Sequence, residues 1–331
     1  MNYIGSKNKL SNFIFDSISS IVGGNLNNKI FCDIFAGTGI VGRKFKPVVK
    51  QVISNDIELY SYILNKNYIE NHTPIEYLNL LEELNDLDGV SGFIFEEYSE
   101  NGKSNRLYFS EKNGKKIDAV RQKIEIWRDK GYISKEQYYF LLCSLLESAD
   151  KIANTASVYG AFLKKLKRSA QKEIIIEPAY FDINSNSHRV YNEDANLLIK
   201  RVEGDILYLD PPYNSRQYGA NYHLLNTISE YKEFSPKGKT GLRDYVKSKY
   251  CSKVDVQKEF ESLLRSANFK YIFLSYNNEG LMSLETIKNI MSRYGKYDCF
   301  SKNYQRFKAD NSDNRIYSAN TTVEYLHLCE K

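Results

Sequence analysis

At 331 residues the chain has room for a large α/β domain plus an appended module, at roughly 150 residues per domain. Its hydrophobic content of 42% and charged content of 26% are ordinary for a soluble globular protein. The net charge of +5 is too mild to establish a nucleic-acid partner, although 27 tyrosines beside basic residues offer rings that can stack on bases.

Leu10, Phe13, Ile14, Ile18 and Ile21 fall on one helical face, with Ser6 placed to cap the helix and Gly23-Gly24 to end it. Lys29-Ile-Phe-Cys-Asp33-Ile34 reads as a short buried strand. It runs into Phe35-Ala36-Gly37-Thr38-Gly39, and Ile40-Val41 then opens a helix halted near Pro47. Strand, glycine turn and helix make the first unit of a nucleotide-binding α/β fold, with glycines letting the backbone approach a ligand. Phosphate cradling is disfavoured, since no G-x-x-x-x-G-K-[ST] motif occurs: the Gly102-Lys103-Ser104 run has Glu97 where the first glycine should stand. A second strand, Gln51-Val-Ile-Ser-Asn-Asp56, ends in an acid 17 residues beyond Gly39. That is close to the roughly 20 at which an acid takes a ribose diol, so Asp56 is the ribose candidate. A cap for the helix from Ile57 onward is compatible with the same position.

From about residue 70 to residue 180 the βαβ rhythm is lost. Asp86-Leu-Asp-Gly89 and Asn101-Gly102 punctuate a loop-rich, tyrosine-bearing segment. Ile117, Val120, Ile124 and Trp127 then share a helical face, and Gly131 terminates it. Ser134-x-x-Gln137 is a capping box, followed by helical spacing from Tyr138 to Ala153 that reads as core packing. Lys164, Lys165, Lys167 and Arg168 form a basic cluster, either a solvated face or the best local candidate for phosphate contacts.

The α/β pattern resumes at Tyr191-Asn192-Glu193-Asp194-Ala195 and leads to Ile206-Leu-Tyr-Leu-Asp210-Pro211-Pro212-Tyr213. Two prolines stop this strand rigidly, holding an acid at its carboxyl end with a ring three residues on. Beside the bland reading of a capped strand end, the arrangement suits a flat base that carries an amino group. Asp210 and the Pro211 carbonyl would accept its two N–H bonds and free the nitrogen lone pair, while Tyr213 stacks on the ring. Arg216, Gln217, Tyr218, Asn221, Tyr222 and His223 crowd the sequence beyond, as a substrate-closing loop or a solvated one. Residues 232–253 read as a charged, mobile connection. A buried strand at Tyr271-Ile-Phe-Leu-Ser-Tyr276, a helix on Leu281, Leu284, Ile287, Ile290 and Met291, and a hairpin of residues 297–307 and 322–328 close the chain.

Five scattered cysteines without C-x-x-C spacing and four unpaired histidines imply neither a disulfide framework nor a metal site. No signal-like run opens the sequence and no stretch of about 18 apolar residues occurs. A cytoplasmic location, with no membrane and no metal as partner, is expected.

Taken in order, these motifs resemble the D12 class of N6-adenine DNA methyltransferases, which includes the Dam-type enzymes, and most nearly the FokI-type modification methyltransferases. Tyr3-Ile-Gly-Ser-Lys7 is similar to the family's N-terminal motif, Asp33-Ile-Phe-Ala-Gly-Thr-Gly39 to its cofactor motif, Asn55-Asp56 to its ribose motif and Asp210-Pro-Pro-Tyr213 to its catalytic motif. Asn214-Ser-Arg-Gln-Tyr218 and Asn221-Tyr-His223 resemble the FokI-type subgroup. The resemblance implies an α/β fold: a Rossmann-like S-adenosylmethionine-dependent methyltransferase sheet with an inserted, largely helical target-recognition region. It places the catalytic domain at residues 1–70 and 181–331 and the insert at 71–180.

It also implies a cofactor site at Tyr3, Lys7, Asp33, Phe35, Gly37, Thr38, Gly39, Asp56, Asp194 and Asp210, with Glu193 as an alternative match for Asp194. Catalysis would rest on Asp210, Pro211, Pro212 and Tyr213. DNA contacts would come from Lys164, Lys165, Lys167, Arg168, Arg216 and Tyr218. The expected substrate is double-stranded DNA, methylated on a flipped adenine, with a separate cognate restriction endonuclease as a further partner. N4-cytosine methylation uses the same amine chemistry, and a catalytically silent DNA- or cofactor-binding protein would keep the fold. Asp ahead of Pro-Pro-Tyr leans toward adenine.

Overall fold

The strand expected ahead of the two prolines, Glu203–Leu209, is apolar from Ile206 onward because both of its faces are covered. Ile206 and Tyr208 enter one hydrophobic layer with Phe31, Val52 and Phe273. Leu207 and Leu209 enter the other, with Cys32, Ile272 and Leu274. A strand buried on both sides reads as a continuous apolar run, not an alternation. The computed structural model describes residues 7–305 and 321–331; Tyr3, Ser6 and Phe307 lie outside the described residues.

In chain order the first elements are α1 (Ser11–Val22), β1 (Ile30–Asp33), α2 (Ile40–Phe45), β2 (Gln51–Asn55) and α3 (Leu59–Asn65). Helices α4 (Leu78–Asp86), α5 (Phe93–Tyr98), α6 (Glu111–Asp129) and α7 (Lys135–Ile152) follow. Then come β3 (Arg189–Tyr191), α8 (Ala195–Leu198), β4 (Glu203–Leu209), α9 (Tyr218–Asn221) and α10 (His223–Glu230). The described chain closes with α11 (Val256–Ser266), β5 (Asn268–Asn277), α12 (Leu284–Met291), β6 (Lys296–Gln305) and β7 (Thr321–Glu330). It forms two compact units. One takes the described residues of Gly5–His72, Asn184–Gln217 and Val246–Lys331; the other takes those of Thr73–Ile183 and Tyr218–Tyr245.

The first unit carries a seven-stranded sheet of order β3-β2-β1-β4-β5-β7-β6. Strands β1 to β5 are parallel, and β7 runs antiparallel between β5 and β6. From β1 the chain winds outward through β2, whereas from β4 it winds the other way through β5. Between β1 and β4, with Asp33 in register with Tyr208, the winding reverses, and at such a switch point open sheets bind ligands beyond the strands' carboxyl ends. Helix α1 begins at Ser11 without a side-chain cap at Leu10, and ends at Gly23 with φ 96°.

The second unit is helical. Helix α7 opens with the expected reciprocal cap between Ser134 and Gln137, and buries Leu141, Leu142, Leu145, Leu146 and Ala149. Helix α6 buries Ile117, Val120, Ile124 and Trp127, and its Asp118 accepts the N–H groups of Ile94 and Phe95 at 3.0 and 2.8 Å. Two differences from the sequence reading concern this unit. The segment expected to be loop-rich contains α4 and α5; the buried Leu80, Leu81 and Leu84 of α4 keep i, i+1, i+4 spacing over a helix too short to stand out between turn residues. Residues Tyr218–Tyr245, assigned by sequence to the catalytic domain, belong instead to this unit, because α10 buries Leu224, Leu225 and Ile228 within it.

Candidate active site

The glycine turn after β1 is held from below by β2 and α3. Ala36 N–H donates to the Asn55 carbonyl at 2.9 Å, and Gly39 N–H donates to the Ala36 carbonyl at 2.8 Å. The Gly37 carbonyl accepts from Asn65 Nδ2 at 3.0 Å and from the Ser61 hydroxyl. Both glycines sit in the left-handed region, Gly37 at φ 52° and Gly39 at φ 75°, where a side chain is strained. At Gly39 a Cβ would also meet Asn65 Oδ1 at 2.7 Å, so the turn fits against α3 only without one.

Asp56 joins this turn to the next element. Its carboxylate accepts Gly37 N–H at 2.8 Å and Glu58 N–H at 2.9 Å, the latter just ahead of α3. Asp56 thus lies against the glycine turn, whereas α3 begins at Leu59 after Glu58 without a side-chain cap, so Asp56 does not cap a helix from Ile57. Burial pushes its carboxyl up, and the N–H groups of Glu58 and Gly37 oppose that shift. Asp33 is 1% exposed, and burial, then Asp210 and Asp56, push its carboxyl well above the ordinary range.

Across the switch point stands Asp210, the residue after β4. Lys7 Nζ lies 3.0 Å from Asp210 Oδ1 and 2.9 Å from Glu324 Oε1, with Lys7 only 5% exposed. Burial works to lower the Lys7 ammonium, but Asp210 and Glu324 override it and hold it above its ordinary value. Burial pushes the Asp210 carboxyl up to about 6, against the pull of Lys7 and with the push of Glu324. The loop beyond is fixed by Pro211, which is buried, and by Tyr213, whose carbonyl accepts Leu281 N–H at 3.0 Å. The Tyr213 ring packs edge-on to Tyr276 at 6.1 Å, with the Lys7 ammonium 5.4 Å from its centroid.

Thus Lys7, Asp33, Phe35, Gly37, Thr38, Gly39, Asp56, Asp210, Pro211, Pro212 and Tyr213 all fall at the carboxyl edge around the switch point. Asp194 is exposed and caps α8, accepting Leu197 N–H at 3.1 Å. Neighbouring Glu193 instead pairs with Arg201 and receives Asn55 Nδ2 on its carbonyl at 3.1 Å. The crowded sequence past Tyr213 is not one closing loop. Arg216 is exposed, but α9 and α10 begin at Tyr218, and Tyr222 and His223 are fully buried. His223 meets the Tyr159 carbonyl at 3.0 Å, and burial lowers its imidazole to about 4.

In the basic cluster Lys164, Lys165 and Arg168 are exposed. Lys167 is half-buried, and its ammonium donates one hydrogen bond to the Thr155 carbonyl at 2.7 Å.

Three contributors were not read from sequence. Glu324 is 1% exposed and shares a face of β7 with Leu326 and Leu328; a charge on an apolar face was the available signal. Ser61 and Asn65 hold the glycine turn by backbone bonds that no motif announces. Among the described residues no group of three or more His, Cys, Asp or Glu side chains is arranged to hold a metal ion, and no helix is long and apolar enough to cross a membrane.

A sheet of this order, with a glycine turn after β1, an acid after β2 and Asp-Pro-Pro-Tyr after β4, defines a Rossmann-like methyltransferase that uses S-adenosylmethionine. The family model of the D12 class N6 adenine-specific DNA methyltransferases matches residues 3–290, and the chain belongs to that family. It is 60% identical to the type II methyltransferase M.NlaIII of Neisseria lactamica, over 100% of this chain and 99% of that one. It is 40% identical to the type II methyltransferase M.CviAII of Paramecium bursaria Chlorella virus 1, over 98% and 97% of the two chains. With the type II methyltransferase M.FokI of Planomicrobium okeanokoites it shares 36% identity, over all of this chain and 53% of the relative. The reaction is methylation of adenine in DNA.

Proposed function

We propose that the enzyme methylates the N6 amine of one adenine within a defined sequence of double-stranded DNA, as the modification partner of a separate restriction endonuclease in the cytoplasm. The observation that carries the reading is Asp210, an acid held rigidly beside Tyr213 at the switch point of the sheet. The type II relatives support the restriction-modification setting.

Lys7, Asp33, Phe35, Gly37, Thr38, Gly39 and Asp56 would hold S-adenosylmethionine, with Asp194 toward its adenine. When bound, that group supplies an electrophilic methyl on a sulfonium. The residues fit such a ligand. Asp33 Oδ1 and Glu324 Oε2 are buried without a hydrogen-bond partner among the described residues. Asp210 and Glu324 share the one ammonium of Lys7 while Asp33 feels the charge of Asp210, and a ligand bearing a sulfonium and an ammonium suits that excess of carboxylate. The two oxygens of Asp56 lie beside the glycine turn, where they would meet a ribose diol.

The target adenine is unreachable inside a duplex and is flipped out, at a cost of a few kcal/mol. Asp210 and the Pro211 carbonyl accept its two amine hydrogens, which draws the nitrogen lone pair out of the ring, while Tyr213 stacks on the base. Alignment of this kind can lower the barrier by roughly 7–11 kcal/mol. The helical unit is assigned to target recognition, with Lys164, Lys165 and Arg168, and Arg216 and Tyr218 are assigned as further DNA contacts.

Purified enzyme incubated with varied duplex DNA and S-adenosylmethionine tests this. Mass spectrometry of the digested DNA should show N6-methyladenine, and sequencing should place it in one short motif. Finding only N4-methylcytosine, or no methylated base, overturns the reading.

A further inference from the structure

The buried ammonium of Lys7 is shared between two carboxylates, Asp210 at 3.0 Å and Glu324 at 2.9 Å. The oxygen of Glu324 that faces Lys7, Oε1, is also fixed by the Ser275 hydroxyl, which donates to it at 2.6 Å from the neighbouring strand β5. An ammonium has three N–H donors, so a second fixed acceptor draws one of them away from Asp210.

We propose that Glu324 is a positioning residue for methyl transfer: with Ser275 behind it, it holds the Lys7 ammonium between two carboxylates, so that Asp210 keeps acceptor capacity for the target amine. This rests on the role given to Asp210 above. Without Glu324, Lys7 closes on Asp210 alone and competes with the substrate for the same lone pairs. Asp210 also loses the repulsion of a nearby carboxylate. The other charged or titratable groups that face it are Asp33 from β1, Tyr208 from β4 and Lys7 itself. None of these is altered by the substitution, so the change in its titration reports Glu324.

The experiment is the pH profile of methyl transfer from labelled S-adenosylmethionine to duplex DNA, for wild type, Glu324→Gln, Glu324→Asp and Ser275→Ala, with calorimetric cofactor affinity alongside. In Glu324→Gln the acid limb should move to lower pH by roughly one unit, the scale of a single near charge, while the plateau rate falls. Glu324→Asp should bring the limb back toward wild type. Ser275→Ala should move it part of the way in the same direction as Glu324→Gln, because it frees Glu324 without removing it. An acid limb at the wild-type pH in Glu324→Gln overturns the proposal, whatever happens to the rate. If that variant does not fold by thermal melting, a wild-type limb in Ser275→Ala overturns it instead. Failure of the wild type to methylate any duplex would sink the site assignment itself; an active wild type with unmoved limbs sinks only the role of Glu324.

Discussion

Gly37 donates its backbone N–H to Asp56 at 2.8 Å, tying the turn after one strand to the acid after the next. Asp56 therefore acts twice, as a candidate ribose ligand and as the clamp on the loop that would face the cofactor. Asp56→Ala should weaken S-adenosylmethionine binding by more than the roughly 1.5–3 kcal/mol expected of a lost charged hydrogen bond, because the turn loosens too. Tyr213→Ala should leave that affinity nearly intact and lower the rate. Calorimetry beside single-turnover kinetics checks both, and equal loss of cofactor affinity in the two variants contradicts the division.

Gly39→Ala is a sharper test of the turn. The substituted residue must adopt φ 75° and place its Cβ 2.7 Å from Asn65 Oδ1. The left-handed conformation alone costs about 1–2 kcal/mol, and Asn65 must give up its place under the Gly37 carbonyl. Cofactor affinity should drop at least tenfold, with a lower melting temperature; relaxing the crowd with Asn65→Gly in the same chain should recover part of the loss. A single variant indistinguishable from wild type would mean that the turn does not face the cofactor.

Asp210 sets the pH response. Its carboxyl titrates near 6 because burial raises it above the ordinary value near 4, in spite of Lys7. The ionised form is the stronger acceptor for the amine, so activity should fall as the pH drops through about 6. A bound cation favours the ionised carboxylate, so the acid limb of kcat should lie below that of kcat/KM, which reports the free enzyme. The same group lends a small pH dependence to folding. With its folded pKa raised, the native state gains from protonation below about 4 and loses that gain as the pH climbs through 6. Coincident limbs in kcat and kcat/KM would argue against Asp210 facing the cofactor.

Lys164, Lys165 and Arg168 are free for phosphate, whereas Lys167 is engaged with Thr155. Changing the three exposed residues to alanine should weaken cognate and random duplexes alike. It should also flatten the log–log salt dependence by up to ~0.9 per lost contact. Cofactor affinity should not change. Lys167→Ala should instead lower stability while leaving the slope alone. Filter binding over a salt series reads both, and an unchanged slope in the triple variant marks the cluster as an ordinary solvated face.

The sheet and the core of the site were legible in sequence because their signals are local. A glycine pair after Asp33, an acid after Val52-Ile-Ser-Asn, and two prolines after Leu209 each mark a strand end without reference to anything distant. What escaped the sequence depends on long-range placement. Glu324 acquires its meaning from Lys7 and Ser275, and nothing near it in sequence points to either. Lys167 reads like its neighbours, yet its side chain folds back on a carbonyl twelve residues earlier. Tyr222 and His223 carry polar groups suited to a loop, but sit in the interior with a partner on residue Tyr159. Short helices α4 and α9 lack the length over which periodicity declares itself.

The insertion of β7 between β5 and β6 has a kinetic consequence. Lys7, Asp210 and Glu324 meet only once that reversed strand has docked, since Glu324 reaches Lys7 from β7. Contacts between residues so far apart in sequence close late, after more local structure has formed. The three charges are therefore expected to come together late in folding, with capacity to bind the cofactor appearing in refolding experiments after helix formation is over. S-adenosylmethionine binding can serve there as a clock for the final docking step.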